Sequence, residues 1–276
     1  MAFECGERTL VMGILNTTPD SFSDGGRYVE PEVALERAGA MVEAGADIID
    51  VGGESSRPGA EPVGAEEELR RVVPVIEAIR KQWNVSLSID TTKAAVARAA
   101  LEAGADIIND ITALTGDAEM AALAARSRCG VVLMHMRGTP RTMQDDPRYE
   151  DCVAEIRDYL ADRLQACVAA GIERERLCVD PGIGFGKRLE DNLALVGAAG
   201  RFREMGVPVL VGASRKGFVG HITETAMDER LEGSLAVATA SVLAGADIVR
   251  VHDVRETRRA VAMADALKAY FGNVGE

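Results

Sequence analysis

Short apolar runs rich in β-branched residues recur along the chain at 10–15, 87–89, 131–134, 177–179 and 209–211. Three more open inside a repeat, EAGADIID at 43–50, EAGADIIND at 102–110 and LAGADIVRV at 243–251. Runs of this length bounded by Gly and polar residues predict buried strands. The Ala-rich stretch before each repeat predicts a helix, and Gly45, Gly104 and Gly245 stand where a helix needs a left-handed closing residue before the chain turns into a strand. Between the runs, apolar positions return at helical spacing. Leu69, Val72, Val73, Ile76 and Ile79 share one face, as do Val153, Ile156, Leu160, Leu164 and Val168. Pro74 falls inside the first of these helices and predicts a kink there.

Eight strands alternating with helices in 276 residues match the arithmetic of an α/β protein of the (β/α)8 TIM-barrel class. The expected organisation is a single domain over residues 1–276. An open doubly wound sheet is the competing arrangement. The barrel is preferred because the strands are spread evenly to both ends and no GxGxxG opens the first strand-to-helix turn. A barrel gathers the residues that end its strands at one mouth. Here they are Asn16, Asp50, Asp90, Asn109, His135, Asp180, Ser214 with Lys216, and Arg250 with His252. Any one Asp or Asn among them would serve equally well as a helix cap, and His135 as a core residue, but a whole ring of mixed charge is not explained by caps. Two connections, at about 16–30 and 52–64, are rich in Gly, Pro, Ser and Asp and longer than such a turn needs. They predict lids or clamps, and Phe22 and Arg57 within them suit an aromatic, anionic ligand.

Composition narrows the chemistry. With 31 Lys+Arg against 44 Asp+Glu the net charge is -13, which argues against nucleic acid and an acidic membrane surface as partners. No run approaches the roughly 18 apolar residues of a membrane span, and the cytoplasm is the expected location. Five cysteines without a CxxC pair argue against a disulfide framework or a zinc knuckle, and predict reduced, mostly buried thiols. The stretch DPGIGFGK at 180–187 fits neither the Walker pattern nor GxGxxG, and no GxSxG elbow is present. Three histidines, His135, His221 and His252, form no spaced metal set. What remains is a mouth with acids on one side and bases on the other. Lys216, Arg250 and His252 form a local positive focus, Asp90, Asn109 and Asp180 can read the donor edge of a flat heterocycle, and Asn16 offers an oxygen suited to Mg²⁺. A heterocycle carrying phosphate is the ligand these residues point to.

VMGILNTTPDSFSDGG at 11–26 closely resembles the first signature of the dihydropteroate synthase family, sulfonamide-inhibited enzymes of folate biosynthesis, and IIDVGGESSRPGA at 48–60 resembles its second. The resemblance continues in order through SIDTTK, INDI, LMHMRGTPRTMQ, VDPGIGFGK, ASRKG and RVHDV, over essentially the whole chain. It implies condensation of a dihydropterin methyl diphosphate with 4-aminobenzoate, a barrel fold, Mg²⁺ and a homodimer. Carried over residue by residue, it implies that Asp90, Asn109, Asp180, Lys216 and Met134 hold the pterin. Asn16, Arg250, His252 and Ser56 would take the diphosphate, with Asn16 on the metal. Phe22, Ser56, Arg57, Pro58, Phe185 and Gly217 would surround aminobenzoate, and Asp90, Lys216 and Arg57 would be catalytic. Two positions depart from the family pattern: Ser56 replaces the usual Thr, and Gly217 stands where many members carry Ser, leaving a backbone N–H in place of a hydroxyl. A corrinoid-linked methyltetrahydrofolate methyltransferase and a non-catalytic pterin-binding module are the alternatives. Neither has a use for both the diphosphate set and the aminobenzoate loops.

Overall fold

The computed structural model describes Cys5, Gly6 and residues 8–18 and 31–274. Phe22 and most of the predicted 16–30 connection lie outside them. Each predicted run is a strand: β1 Leu10–Asn16, β2 Ile48–Gly52, β3 Ser86–Asp90, β4 Ile107–Asp110, β5 Gly130–Met134, β6 Leu177–Asp180, β7 Leu210–Val211 and β8 Ile248–Val251. They lie parallel in the order β6-β5-β4-β3-β2-β1-β8-β7, and one parallel bridge, Val179 to Val209, joins the two ends of the sheet. The closure is narrow because Pro208, just before β7, has no N–H for the ladder and only accepts from the Val179 N–H, at 2.9 Å. The helices are α1 Pro31–Glu43, α2 Ala65–Gln82, α3 Ala94–Glu102, α4 Met120–Arg126, α5 Cys152–Ala169, α6 Leu189–Gly197, α7 Ala199–Arg203, α8 Gly217–Thr223, α9 Leu231–Leu243 and α10 Val254–Val274. The second long connection ends at α2, as predicted.

Strand periodicity then stacks the interior in layers. Leu10, Met12, Ile48, Ile107, Val132, Cys178, Leu210 and Ile248 meet inside the barrel as one apolar cluster. Two residues further along a strand the side chain returns to the same face. Ile48 is therefore followed by Asp50, Ile107 by Asn109, Cys178 by Asp180 and Ile248 by Arg250. The polar layer stands directly on the apolar one, at the strands' C-terminal ends. The opposite strand faces pack against the helices in a larger core that includes Val72, Ile76, Ile79, Ile156, Leu160 and Leu164. Helix α2 runs across Pro74 as one element. In α5 the buried stripe ends on Cys167, while Val168 is exposed, because the 3.6-residue period drifts by a position over four turns.

The repeat is a structural device at the other end of the barrel. Gly45, Gly104 and Gly245 have φ of 91°, 113° and 112°. In each copy the glycine N–H and the next N–H bond back into the helix in the paired pattern of a Schellman closure, as in Gly245 to Val242 and Ala246 to Ser241 at 3.0 and 2.9 Å. The following aspartate then clamps a neighbouring chain segment. Asp47 accepts the N–H of Val11 at 2.8 Å, Asp106 that of Leu87 at 2.9 Å and Asp247 that of Val209 at 3.0 Å. Each also donates its own N–H to the carbonyl of the same residue and pairs with arginine, Asp47 with Arg8 and Arg258, Asp106 with Arg80 and Asp247 with Arg203. A Cβ on Gly245 would press on the Gly200 backbone at 3.0 Å. Gly245→Ala is therefore expected to destabilise the protein by roughly 1–3 kcal/mol, from the forbidden φ and the contact together. Urea unfolding of the variant beside the wild type measures it.

Candidate active site

Asp50 and Arg250 stand at the centre of the polar layer. Asp50 is fully buried at the middle of β2, and its Oδ2 accepts from Arg250 Nε at 2.6 Å and from Asn109 Nδ2 at 3.0 Å. The same guanidinium reaches Asp90 Oδ2 at 2.7 Å. Acids and bases therefore interleave, and do not face one another across the mouth as the sequence suggested. Burial opposes the charge on Arg250, but Asp50 and Asp90 more than restore it and hold its pKa above the usual value. Burial, with Asp50, Glu68 and Asp110 adding to it against Arg250, pushes Asp90 up to about 7.

Asp180 ends β6 and turns the DPGIGFGK stretch into the mouth. Its Oδ1 accepts the Gly182 N–H at 2.7 Å, and its carbonyl accepts the N–H of His135 at 3.0 Å. Burial raises its pKa, with the Gly182 N–H, Lys216, Lys187 and Arg250 opposing. Gly182 has φ of 68°, and a Cβ there would run into the His135 carbonyl. This close approach explains a glycine that matched no phosphate-loop pattern. Lys187 closes the same turn. Its buried ammonium donates to the Phe185 carbonyl at 2.8 Å and the His135 carbonyl at 3.2 Å, and stands 3.0 Å from His135 Nδ1. His135 is thus a core residue that holds the turn. Phe185 packs with Met134 and Met143 and carries the Lys216 ammonium over its ring, 3.9 Å from the centroid. Burial, then repulsion from Arg250, pulls Lys216 down to about 8 despite Asp180 and Asp90.

Lys216 and His252 are fixed to one another through backbone and neighbours. The Ser214 hydroxyl accepts the His252 N–H at 3.2 Å and lies 3.1 Å from its Nδ1. That hydroxyl can be donor or acceptor to Nδ1, since it keeps a second lone pair beside its proton. Burial, followed by Arg250 and Arg215, lowers the His252 pKa to about 4. The expected positive focus is therefore smaller than three residues: His252 is neutral and Arg250 is already paired. Arg215, in a left-handed conformation at φ 56°, forks onto Asp253 at 3.0 and 2.5 Å and ties the two loops together.

These residues surround a cavity of about 710 Å³. Of the predicted site, Asn16, Ser56, Arg57, Pro58, Asp90, Phe185, Lys216, Gly217, Arg250 and His252 line it. Asn109, Asp180 and Met134 lie one layer behind, against Asp50, Gly182 and Phe185. Among the described residues Arg57 and Lys216 have no carboxylate in ion-pair range, and the Asn16 side chain has no hydrogen-bond partner. Glu54, Gln144, Ser214 and Lys187 also line the cavity without having been assigned a role from sequence. Gln144 donates to the Gly184 carbonyl at 3.0 Å, a contact across 40 positions that no local pattern announces.

Residues 12–252 match the pterin binding enzyme family. Over 258 residues the chain is 49% identical to the dihydropteroate synthase of Escherichia coli K12, covering 93% of this chain and 90% of that protein. The chain belongs to the dihydropteroate synthases. Among solved structures of that family, the Yersinia pestis enzyme in complex with a sulfonamide drug superposes with a TM-score of 0.92 at 44% identity, covering 97% of this chain and 96% of that one. The Xanthomonas albilineans enzyme in complex with 7,8-dihydropteroate does so with a TM-score of 0.86 at 43% identity, covering 95% and 94%. Gly217 opens α8, and a Cβ there would meet nothing within 4 Å. Packing thus leaves room for the serine that many members carry.

The neutral His252 has a consequence for stability. An unfolded histidine titrates near its ordinary 6.5 and the folded one near 4, so the unfolded chain takes up the proton first as pH falls. The associated stability is complete above pH 6.5 and is lost toward pH 4. The loss between pH 7 and pH 5 from this residue is expected to be about 1–2 kcal/mol. Urea denaturation at both pH values should give a correspondingly smaller difference for His252→Asn.

Proposed function

We propose that the chain condenses (7,8-dihydropterin-6-yl)methyl diphosphate with 4-aminobenzoate, giving 7,8-dihydropteroate and diphosphate. The observation that carries the reading is the convergence, in a member of this family, of Asp90, Asn16 and two cations without a carboxylate partner among the described residues, Arg57 and Lys216, on a single cavity, with Asn109 and Asp180 directly behind it. Asp180 and Asn109 suit the amino and ring N–H edge of a pterin, with Lys216 beside the ring and Met134 behind Phe185. The methylene C–O bond breaks with its electron pair leaving on diphosphate, and the pterin spreads the positive charge while the Asp90 carboxylate stabilises it. The arylamine nitrogen then forms the C–N bond and releases one proton to diphosphate or solvent. No nucleophilic side chain is needed. Arg250, Ser56 and the neutral ring of His252 are donors for the diphosphate oxygens. Arg57 matches the aminobenzoate carboxylate, with Pro58, Phe185, Ser56 and the N–H of Gly217 around the ring.

Mg²⁺ fits a site with a single protein ligand. Asn16 lines the cavity, and no group of three His, Cys, Asp or Glu side chains placed to hold a metal occurs among the described residues. Such an ion takes its remaining ligands from water and diphosphate. When bound, Mg²⁺ supplies positive charge to the leaving oxygens. Five free thiols, four of them buried, suit a reducing cytoplasm, and no described helix is long and apolar enough to cross a membrane.

Purified protein with Mg²⁺, the pterin diphosphate and 4-aminobenzoate is expected to form dihydropteroate and release diphosphate, and failure to form dihydropteroate overturns the reading. Lys216→Ala should lower kcat/KM on the order of 100-fold. Arg250→Ala is a poor probe, since it would strand Asp50 and Asp90 as buried charges without their partner. His252→Ala tests the diphosphate set with less collateral change.

We also infer a homodimer through α9 and α10. Helix α9 buries Ser234, Ala238, Ser241 and Val242 and turns Ala236, Ala240 and Leu243 outward, while Met263 of α10 is 58% exposed. Light scattering at micromolar concentration should give the mass of two chains, and Leu243→Glu with Met263→Glu should shift it to one.

A further inference from the structure

Behind the connection between β2 and α2 lies an ion cluster that the reaction above does not use. Glu68, in the first turn of α2, is fully buried. Its Oε2 accepts from Lys93 Nζ at 2.6 Å, and its Oε1 has no partner. The same ammonium binds Glu54 Oε2. Glu54 Oε1 in turn accepts the Val63 N–H at 3.2 Å, nine positions further along the chain. One carboxylate therefore pins both ends of the segment that carries Ser55, Ser56, Arg57 and Pro58 along the cavity wall. The segment's entry is tight as well: a Cβ on Gly53 would press on Val72 and Glu68 at 2.8 and 2.9 Å, and Arg71 Nη1 donates to the Gly53 carbonyl at 2.8 Å. Lys93 follows Asp90 by three residues, at the start of α3. Neither carboxylate can approach the other without the ammonium between them, because two like charges would meet in a dry site.

We propose that Lys93, clamped between Glu54 and Glu68, is a positioning residue that holds the 54–63 segment in place to receive the arylamine. It touches no substrate atom. The inference rests on the dihydropteroate synthase reading for the name of the ligand, and on the ion cluster for the rest. Removing the ammonium frees Glu54 from the barrel and leaves the pterin groups on β4, β6 and the segment after β7 in place, while Asp90, three residues before Lys93 on β3, keeps its bond to Arg250.

The test compares wild type, Lys93→Met, Lys93→Arg and Glu54→Gln. Lys93→Met is expected to raise KM for 4-aminobenzoate at least tenfold while KM for the pterin diphosphate changes less than twofold. Lys93→Arg, which keeps the charge, should recover most of that loss. Hydrogen exchange without any substrate gives an independent reading: the Val63 amide should exchange at least tenfold faster in Lys93→Met, with β4 and β6 amides unchanged. If Lys93→Met does not fold, Glu54→Gln carries the same two expectations at smaller size, since it cuts only the segment's side of the cluster. Equal rises in both KM values, an unchanged aminobenzoate KM, or unchanged Val63 exchange in the variant that folds overturns the proposal. A wild type that makes no dihydropteroate but shows the exchange difference refutes the named ligand and leaves the positioning role standing.

Discussion

A guanidinium inside a barrel mouth must be neutralised where it stands, and the pairing of Arg250 with Asp50 and Asp90 does this across three strands. Breaking a buried ion pair on one side leaves an uncompensated charge, a cost of several kcal/mol. The pairing thus fixes β2, β3 and β8 relative to each other at the level where chemistry occurs. Asn109 joins from β4 through Asp50. Asp180 and Lys216 feel the same guanidinium at longer range, one as an attraction and the other as a repulsion. Burial is the largest influence on Asp90, Asp180, Lys216 and His252, and the shared guanidinium acts on all of them in addition.

The two ends of the barrel use aspartate for opposite purposes. At the closed end, Asp47, Asp106 and Asp247 each accept a neighbour's N–H and pair with arginines, so their bonding capacity is spent on holding strands. At the open end Asp50 keeps one buried oxygen without a partner, and Asp90 lines the cavity. Unsatisfied buried polar atoms are costly and uncommon. The orphaned Asp50 oxygen stands directly above a fully packed apolar layer, at the level of the cavity.

Charge counting from sequence overstated the anion-attracting power of this mouth. His252 is held neutral by burial and by two nearby guanidiniums, and Arg250 is already neutralised. Among the described residues, the cavity cations without a carboxylate partner include Lys216, with its pKa lowered to about 8, Lys187, lowered to about 7 by burial, and Arg57 at the exposed rim. A diphosphate entering this cavity meets neutral donors as well as charge, which favours hydrogen-bonding geometry over electrostatic attraction alone.

The sequence by itself determined the barrel and the level of its site. Eight apolar runs with helices between them leave few other arrangements, and the period of two along a strand places Asp50, Asn109, Asp180 and Arg250 one step above Ile48, Ile107, Cys178 and Ile248. The GAD repeats announced their helix closures because a left-handed residue there has to be glycine. Local pattern cannot encode which side chain meets which across the barrel. The bond from Arg250 to Asp50 spans 200 positions, and the Lys187 bonds to His135 span 52. Glu68 illustrates the limit most sharply. It stands in an acidic run at the start of an amphipathic helix, where the helix dipole favours a solvated carboxylate, yet the fold buries it completely against a lysine 25 positions away. Periodicity assigns a face, but partners and pKa values depend on distances that only closure of the barrel sets.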